Sequence, residues 1–195
     1  MIRRKLFSIL LLLSFLVFLF MPVSVHATTD VIGGNSYNSG GNQGAIYMNQ
    51  ITTSSSGVLV TIGINAEAIG GNGTVGIYST WSGGTLSGLL AQSGNNVLVL
   101  GWNDMSVSAV QISPATTYYL VWEVSASATH EYYTDSGTTY YGSYSYSSLP
   151  SSVALASPWT PVTFNMRITY HGVTGVVTTL YSWATTATVT YTSAS

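Results

Sequence analysis

Beyond its first 27 residues the chain carries six carboxylates, two histidines and one arginine. These are Asp30, Glu67, Asp104, Glu123, Glu131, Asp135, His130, His171 and Arg167. A glycosidase holds two carboxyls roughly 5–9 Å apart across a sugar. Glu123 and Glu131 are the best-placed pair, and Glu67 is a third candidate. Six scattered acids form no paired motif, so this chemistry is not expected. A Ser-His-acid site has one candidate, His130 beside Glu131 and near Asp135, but the chain has no G-x-S-x-G elbow. With no cysteine and histidines far apart in sequence, a zinc site lacks ligands. Calcium asks for several oxygens; Asp135 and Asp104, with Asp30 and loop carbonyls, are the candidate ligands, although no D-x-D-x-D spacing appears. The sequence therefore assigns no catalytic residue, and a structural calcium is the one cofactor left open.

The aromatic residues point elsewhere. The stretch EYYTDSGTTYYGSYSYSSLPSS at 131–152 contains Tyr132, Tyr133, Tyr140, Tyr141, Tyr144 and Tyr146. Tyrosine favours strands, and alternation over 139–147 predicts one, with Tyr140, Tyr144 and Tyr146 on one face. Flat amphipathic rings also stack on the apolar faces of sugars while their hydroxyls bond the rims. Trp81 sits in the Gly/Ser loop sequence YSTWSGGTLSG, either as a staple over the sandwich end or as an exposed binding ring. The candidate ligand-binding set is Trp81, Tyr132, Tyr133, Tyr140, Tyr141 and Tyr144. Trp102, Trp122 and Trp159 are expected in the core. One sequon, Asn72-Gly73-Thr74, falls on what reads as the tightest hairpin turn, where a glycan would be accepted.

The elements that must position these residues have period two. In GVLVTIGINAE, Val58, Val60, Ile62, Ile64 and Ala66 share a face; in TYYLVWEVS, Tyr118, Leu120, Trp122 and Val124 do. In VTFNMRITY the shared face is Val162, Phe164, Met166, Ile168 and Tyr170. Such alternation, broken by GGNG, SGGT, SGNN and SPAT, predicts half-buried strands. The fold class read from it is all-β, an antiparallel, jelly-roll-like β-sandwich.

The N-terminus is different. Arg3, Arg4 and Lys5 precede an apolar run from Leu6 to Met21, then Pro22 and the small-residue site Val25-His26-Ala27. This order marks a secretory signal, with an uncleaved anchor as the rival reading. The division is a signal at 1–27, a flexible Gly/Asn/Ser-rich arm at 28–44, a sandwich at 45–171, and a β-prone tail at 172–195. After cleavage one arginine and six acids remain, 1 − 6 = −5, with no lysine. Without a basic patch, nucleic acid and anionic lipid are poor partners.

VGIYS, LLAQSG, GWNDMSV, ISPATTYYLVW, YYTDSG and FNMRITY occur in this order over residues 45–170. Together they resemble a jelly-roll module of secreted and cell-surface bacterial and archaeal proteins, loosely similar to carbohydrate-binding modules. The resemblance implies the fold and brings no catalytic residue; Thr134 before Asp135 departs from the acidic loop of that family. The expectation is a secreted, surface-associated, non-enzymatic structural or adhesive protein. The alternatives are a lectin-like protein that binds polysaccharide or cell-surface glycan through its Tyr-rich face, and a filament subunit that self-associates through strand edges. For the latter, the tail residues Val173, Val176, Val177, Leu180, Tyr181 and Trp183 are the donor candidates.

Overall fold

The computed structural model describes residues 24–33, 38–40, 44–68, 70–126, 130–155 and 157–174. They form fifteen strands, and no helix is found among the described residues. In chain order these are β1 (Ser24–Ile32), β2 (Asn38–Gly40), β3 (Ala45–Thr52), β4 (Gly57–Ala68) and β5 (Asn72–Ser82). β6 (Thr85–Gln92), β7 (Asn96–Val97), β8 (Gly101–Ile112), β9 (Thr117–Val124) and β10 (His130–Thr134) follow. The last five are β11 (Thr139–Ser143), β12 (Ser152–Ala154), β13 (Ser157–Trp159), β14 (Thr163–Phe164) and β15 (Met166–Thr174).

Two antiparallel sheets result. Sheet A runs β1-β15-β4-β10-β14, with β8 along β4 and β2 along β10. Sheet B runs β12-β6-β5-β9-β3-β11-β13, with β7 on β5. The chain passes from sheet to sheet at most connections: β3 lies in B, β4 in A, β5 and β6 in B, β8 in A, β9 in B and β10 in A. That alternation gives the jelly-roll-like sandwich. It also corrects one expectation, because residues 70–71 link β4 to a strand of the other sheet and make no hairpin. The tight hairpin is at Gly83-Gly84, whose φ values of +58° and +81° suit a two-residue turn that glycine enters without strain.

Alternate residues of both sheets meet in one core. From sheet A come Leu59, Ile62, Ile64, Met105, Phe164, Met166, Ile168 and Tyr170. Tyr47, Ile51, Val75, Ile77, Tyr118, Leu120, Trp122 and Val124 face them from sheet B. The alternation read in β9 and β15 is thus the inward face. In β4 the phase breaks: a bulge between Leu59 and Thr61 turns Leu59 inward in place of Val58 and Val60. One extra residue in a ladder exchanges the faces of everything beyond it.

The segment expected as a loose arm supplies two strands, the end of β1 and all of β2. β1 lies beside β15, with Thr29 Oγ1 3.1 Å from Thr169 Oγ1. Asp30 accepts from the Ser54 amide and the Tyr170 hydroxyl, each at 2.8 Å. β2 pairs with β10 through Asn38 opposite Tyr133. Composition predicted looseness because the stabilising partners are far away in sequence. Residues 1–23 and 175–195 lie outside the described residues, and with them the leader's apolar run and most of the tail.

Sheet B has a second buried layer on its outer face. Ile46, Met48, Tyr78, Leu86 and Val121 point away from the sandwich core and are covered by Leu149 and Leu155. The cover is the segment 144–155, which leaves β11, crosses the sheet and pairs along β6 as β12. Its fastenings are hydrogen bonds. Tyr78 donates to the Pro150 carbonyl at 2.6 Å, and the Leu149 amide to Gln92 Oε1 at 2.7 Å. Ser152 donates to Leu86 O at 3.0 Å, and the Leu155 amide to Gly84 O at 2.8 Å. A Cβ at Gly76 would lie 2.3 Å from Leu149 Cδ1, so the strap sits directly on that glycine.

Candidate functional site

Where the strap ends, the outer face of sheet B opens into a cleft of ≈ 360 Å³. Its floor is Met48 and Gln50 of β3 with Tyr119 of β9, and Tyr119 stands opposite Gln50 in the ladder. Trp81 of β5 and Tyr140 of β11 form the walls, with Thr138 beside Tyr140. Strand order separates β5 from β11 by β9 and β3. Even so, the Trp81 and Tyr140 rings meet, centroids 4.8 Å apart and tilted by 49°. Both pack on the apolar layer beneath them. Asn49 behind the wall holds β11 and β14 in place: its Nδ2 donates to Thr139 Oγ1 at 2.7 Å and its Oδ1 accepts from the Phe164 amide at 3.2 Å.

The polar groups in this cleft differ from those of the strap and of the β15 and β9 tyrosines that fasten the fold. The hydroxyls of Tyr78, Tyr144, Tyr146 and Tyr170 donate to protein acceptors, and that of Tyr118 accepts from the Ser113 amide. Among the described residues, no protein hydrogen bond is made by the Tyr119 or Tyr140 hydroxyls, the Trp81 indole N–H or the Gln50 amide. Two rings at an angle, two hydroxyls, an indole donor and an amide converge on one uncharged hollow. That is the chemistry of a neutral, polyhydroxylated ligand with apolar ring faces.

The structure divides the six expected ligand-binding residues. Trp81 and Tyr140 are brought together in the cleft. Tyr144 packs on the same apolar layer but belongs to the strap; its hydroxyl donates to Ser148 O at 2.8 Å. Tyr141 turns to the inner face of sheet B, and Tyr133, on sheet A, packs against the main core. Tyr133 packs against Trp159 and Phe164 at 5.4 and 5.9 Å, and Tyr141 stacks on Tyr47 at 5.8 Å. Tyr132 is half-buried on β10 opposite Ser39. The strand predicted over 139–147 ends at Ser143, because beyond it the chain leaves β3 to cover the sheet. Tyr119, Gln50 and Met48 were missed. The available signal was that β9's other face, Tyr119-Val121-Glu123, is also largely apolar, which implies a second layer.

The carboxylates are dispersed. Glu123 lies on the outer face of sheet B beneath the strap and is 1% exposed. Its Oε1 accepts from the Ser147 amide at 3.4 Å, and its Oε2 has no hydrogen-bond partner. Burial pushes its pKa from 4.5 up to about 7, against a smaller opposing effect of the Ser147 amide. Glu131, opposite Ala66, points into the sandwich with neither oxygen partnered, and burial holds its carboxyl well above the usual range. Sheet B thus stands between Glu123 and Glu131, which do not flank a common site. Asp104 is bound by Arg167, whose guanidinium lies 4.3 Å above the Trp102 ring. Asp135 accepts from Asn38 Nδ2 at 2.8 Å. The two aspartates suggested for calcium are therefore engaged separately, and no group of three or more acidic, histidine or cysteine side chains gathers among the described residues. Asn72 begins β5, opposite Val97, and the sequon's Thr74 is buried with its hydroxyl bonded to Tyr146 at 3.1 Å.

Comparison with known proteins found no matching family model, no matching curated protein and no matching solved structure.

Proposed function

We propose that this chain is a secreted, non-catalytic adhesive β-sandwich that holds neutral polysaccharide in the cleft of Trp81, Tyr119 and Tyr140. The observation that carries this reading is the convergence of Trp81, Tyr119, Tyr140 and Gln50 on one uncharged hollow, with aromatic faces beside polar groups that make no protein hydrogen bond. The leader-like N-terminus supports export, and the resemblance to secreted jelly-roll modules supports the surface role. A non-catalytic role agrees with Glu123 and Glu131 lying on separate faces. The lining carries no charge, so the favoured ligands are neutral hexose or pentose polymers rather than uronic or sulfated ones. Affinity electrophoresis in gels containing neutral and acidic polysaccharides tests this: neutral polymers retard the protein, and equal mobility in every gel refutes it.

A second reading, self-association into matrix or filament, is favoured by the end of β7 and the loop after it. Val97, Val99 and Leu100 are 78%, 56% and 65% exposed. They are held out because Asn103 brackets the loop, bonding Val99 N and O at 2.7 Å and Gly101 O at 2.8 Å. Light scattering of Val97→Asn/Leu100→Asn beside the parent chain tests it; identical scattering at high concentration removes this reading.

A further inference from the structure

We infer that the strap 144–150 is a gate opened by ionisation of Glu123, and that its release extends the cleft along the outer face of sheet B. This rests on the polysaccharide reading for its use, but not for its mechanism.

Glu123 is sealed between β9 and the strap with one oxygen unpartnered. The titratable groups that bear on it are Tyr78 from β5 and Tyr146 from the strap, with Tyr144 of the strap acting on Tyr78. All are neutral acids that gain nothing from a nearby anion, and burial raises both the Tyr78 and Tyr146 hydroxyls above their ordinary range. Among the described residues no cation bears on it; Arg167 is committed to Asp104 on sheet A. A carboxylate cannot remain ionised in such a place without water or a counter-charge. The covering element most easily moved is the strap. Between Ser143, where β11 ends, and Ser152, where β12 begins, it has no ladder bonds of its own. It is held by isolated bonds: the Tyr144 amide to Gly44 O, the Tyr146 hydroxyl with Asn95 Oδ1 and Thr74, the Ser147 amide to Glu123, the Leu149 amide to Gln92, and Tyr78 to Pro150 O.

Lifting it uncovers Tyr78 and Val121, whose apolar layer runs without a break to Trp81, Tyr119 and Tyr140. The closed form presents a short cleft and the open form a longer aromatic strip, so longer glycan chains gain contacts as pH rises.

The test is amide hydrogen exchange of the full mature chain without ligand, corrected for intrinsic rates, from about pH 5 to about pH 8. Protection of the Ser147 and Leu149 amides falls at least about tenfold across that range, while the Leu155 amide, bonded to Gly84 beyond the strap, stays protected. In Glu123→Gln all three stay protected throughout; should that variant fail to fold, Glu123→Met takes its place. Constant protection of Ser147 and Leu149 in the parent chain, or an equal loss in the variant, overturns the gate. Exchange needs no glycan, so a cleft that binds no polysaccharide leaves this result standing and sinks the functional reading alone.

Discussion

Glu123→Gln should reduce the stability this protein loses as pH rises. Burial raises the Glu123 carboxyl from 4.5 to about 7, so the folded chain binds this proton more tightly than the unfolded one. Stability from Glu123 is fully present below about pH 4.5 and falls as pH rises through the window up to about 7. The shift of about 2.5 pH units, at about 1.4 kcal/mol per unit, corresponds to about 3 kcal/mol. Local opening of the strap caps the loss below that figure. Glu131, raised in the same direction by burial, adds loss of the same sign. Glutamine keeps the shape and the bond from the Ser147 amide but cannot ionise. Urea denaturation of both proteins at closely spaced pH should show the parent chain losing stability above about pH 5, with the variant losing less by about 2–3 kcal/mol. Parallel pH profiles for the two proteins would show that Glu123 is not buried neutral, and the reasoning would fail.

Tyr78→Phe removes the bond to the Pro150 carbonyl and should cost about 1 kcal/mol in urea denaturation, with faster exchange confined to strap amides. Tyr170→Phe leaves Asp30, the Ser55 amide and the Ser54 hydroxyl without their shared partner and should cost about 1–3 kcal/mol by the same measurement; an unchanged midpoint would mean β1 is not fastened there. Arg167→Leu breaks a solvent-accessible pair and should shift stability by no more than about 1 kcal/mol, an effect that parent and variant in high salt should show shrinking. Tyr133→Ala should lower the melting temperature, since its ring packs on Trp159 and Phe164, without altering polysaccharide mobility.

The inward faces of β9 and β15 were legible because every second residue enters one core and the period survives the whole strand. β4 was legible in kind but not in phase, since nothing local in GVLVTIG announces a bulge that only β8 and β15 make necessary. The strap was illegible. Its alternating serines and tyrosines read as strand, whereas its fastenings reach back to Tyr78, Gln92 and Glu123, all distant in sequence. For the same reason β1 and β2 read as a loose arm: their composition is that of a linker, and their order comes from β15 and β10. In the cleft, Trp81 and Tyr140 were found by residue type alone. Tyr119 and Gln50 were not, because their exposure depends on where the strap stops covering sheet B.

The claim that the cleft of Trp81, Tyr119 and Tyr140 receives neutral polysaccharide is tested most directly by calorimetric titration of the mature chain with neutral oligosaccharides of increasing length. Trp81→Ala and Tyr140→Ala are titrated beside it. The parent should bind, and each variant should lose about 1–3 kcal/mol of affinity, by analogy with base–aromatic stacking, while remaining folded at the titration temperature. Binding of equal strength by the parent and both variants would place the ligand elsewhere, and no heat of binding from any neutral sugar would contradict the account.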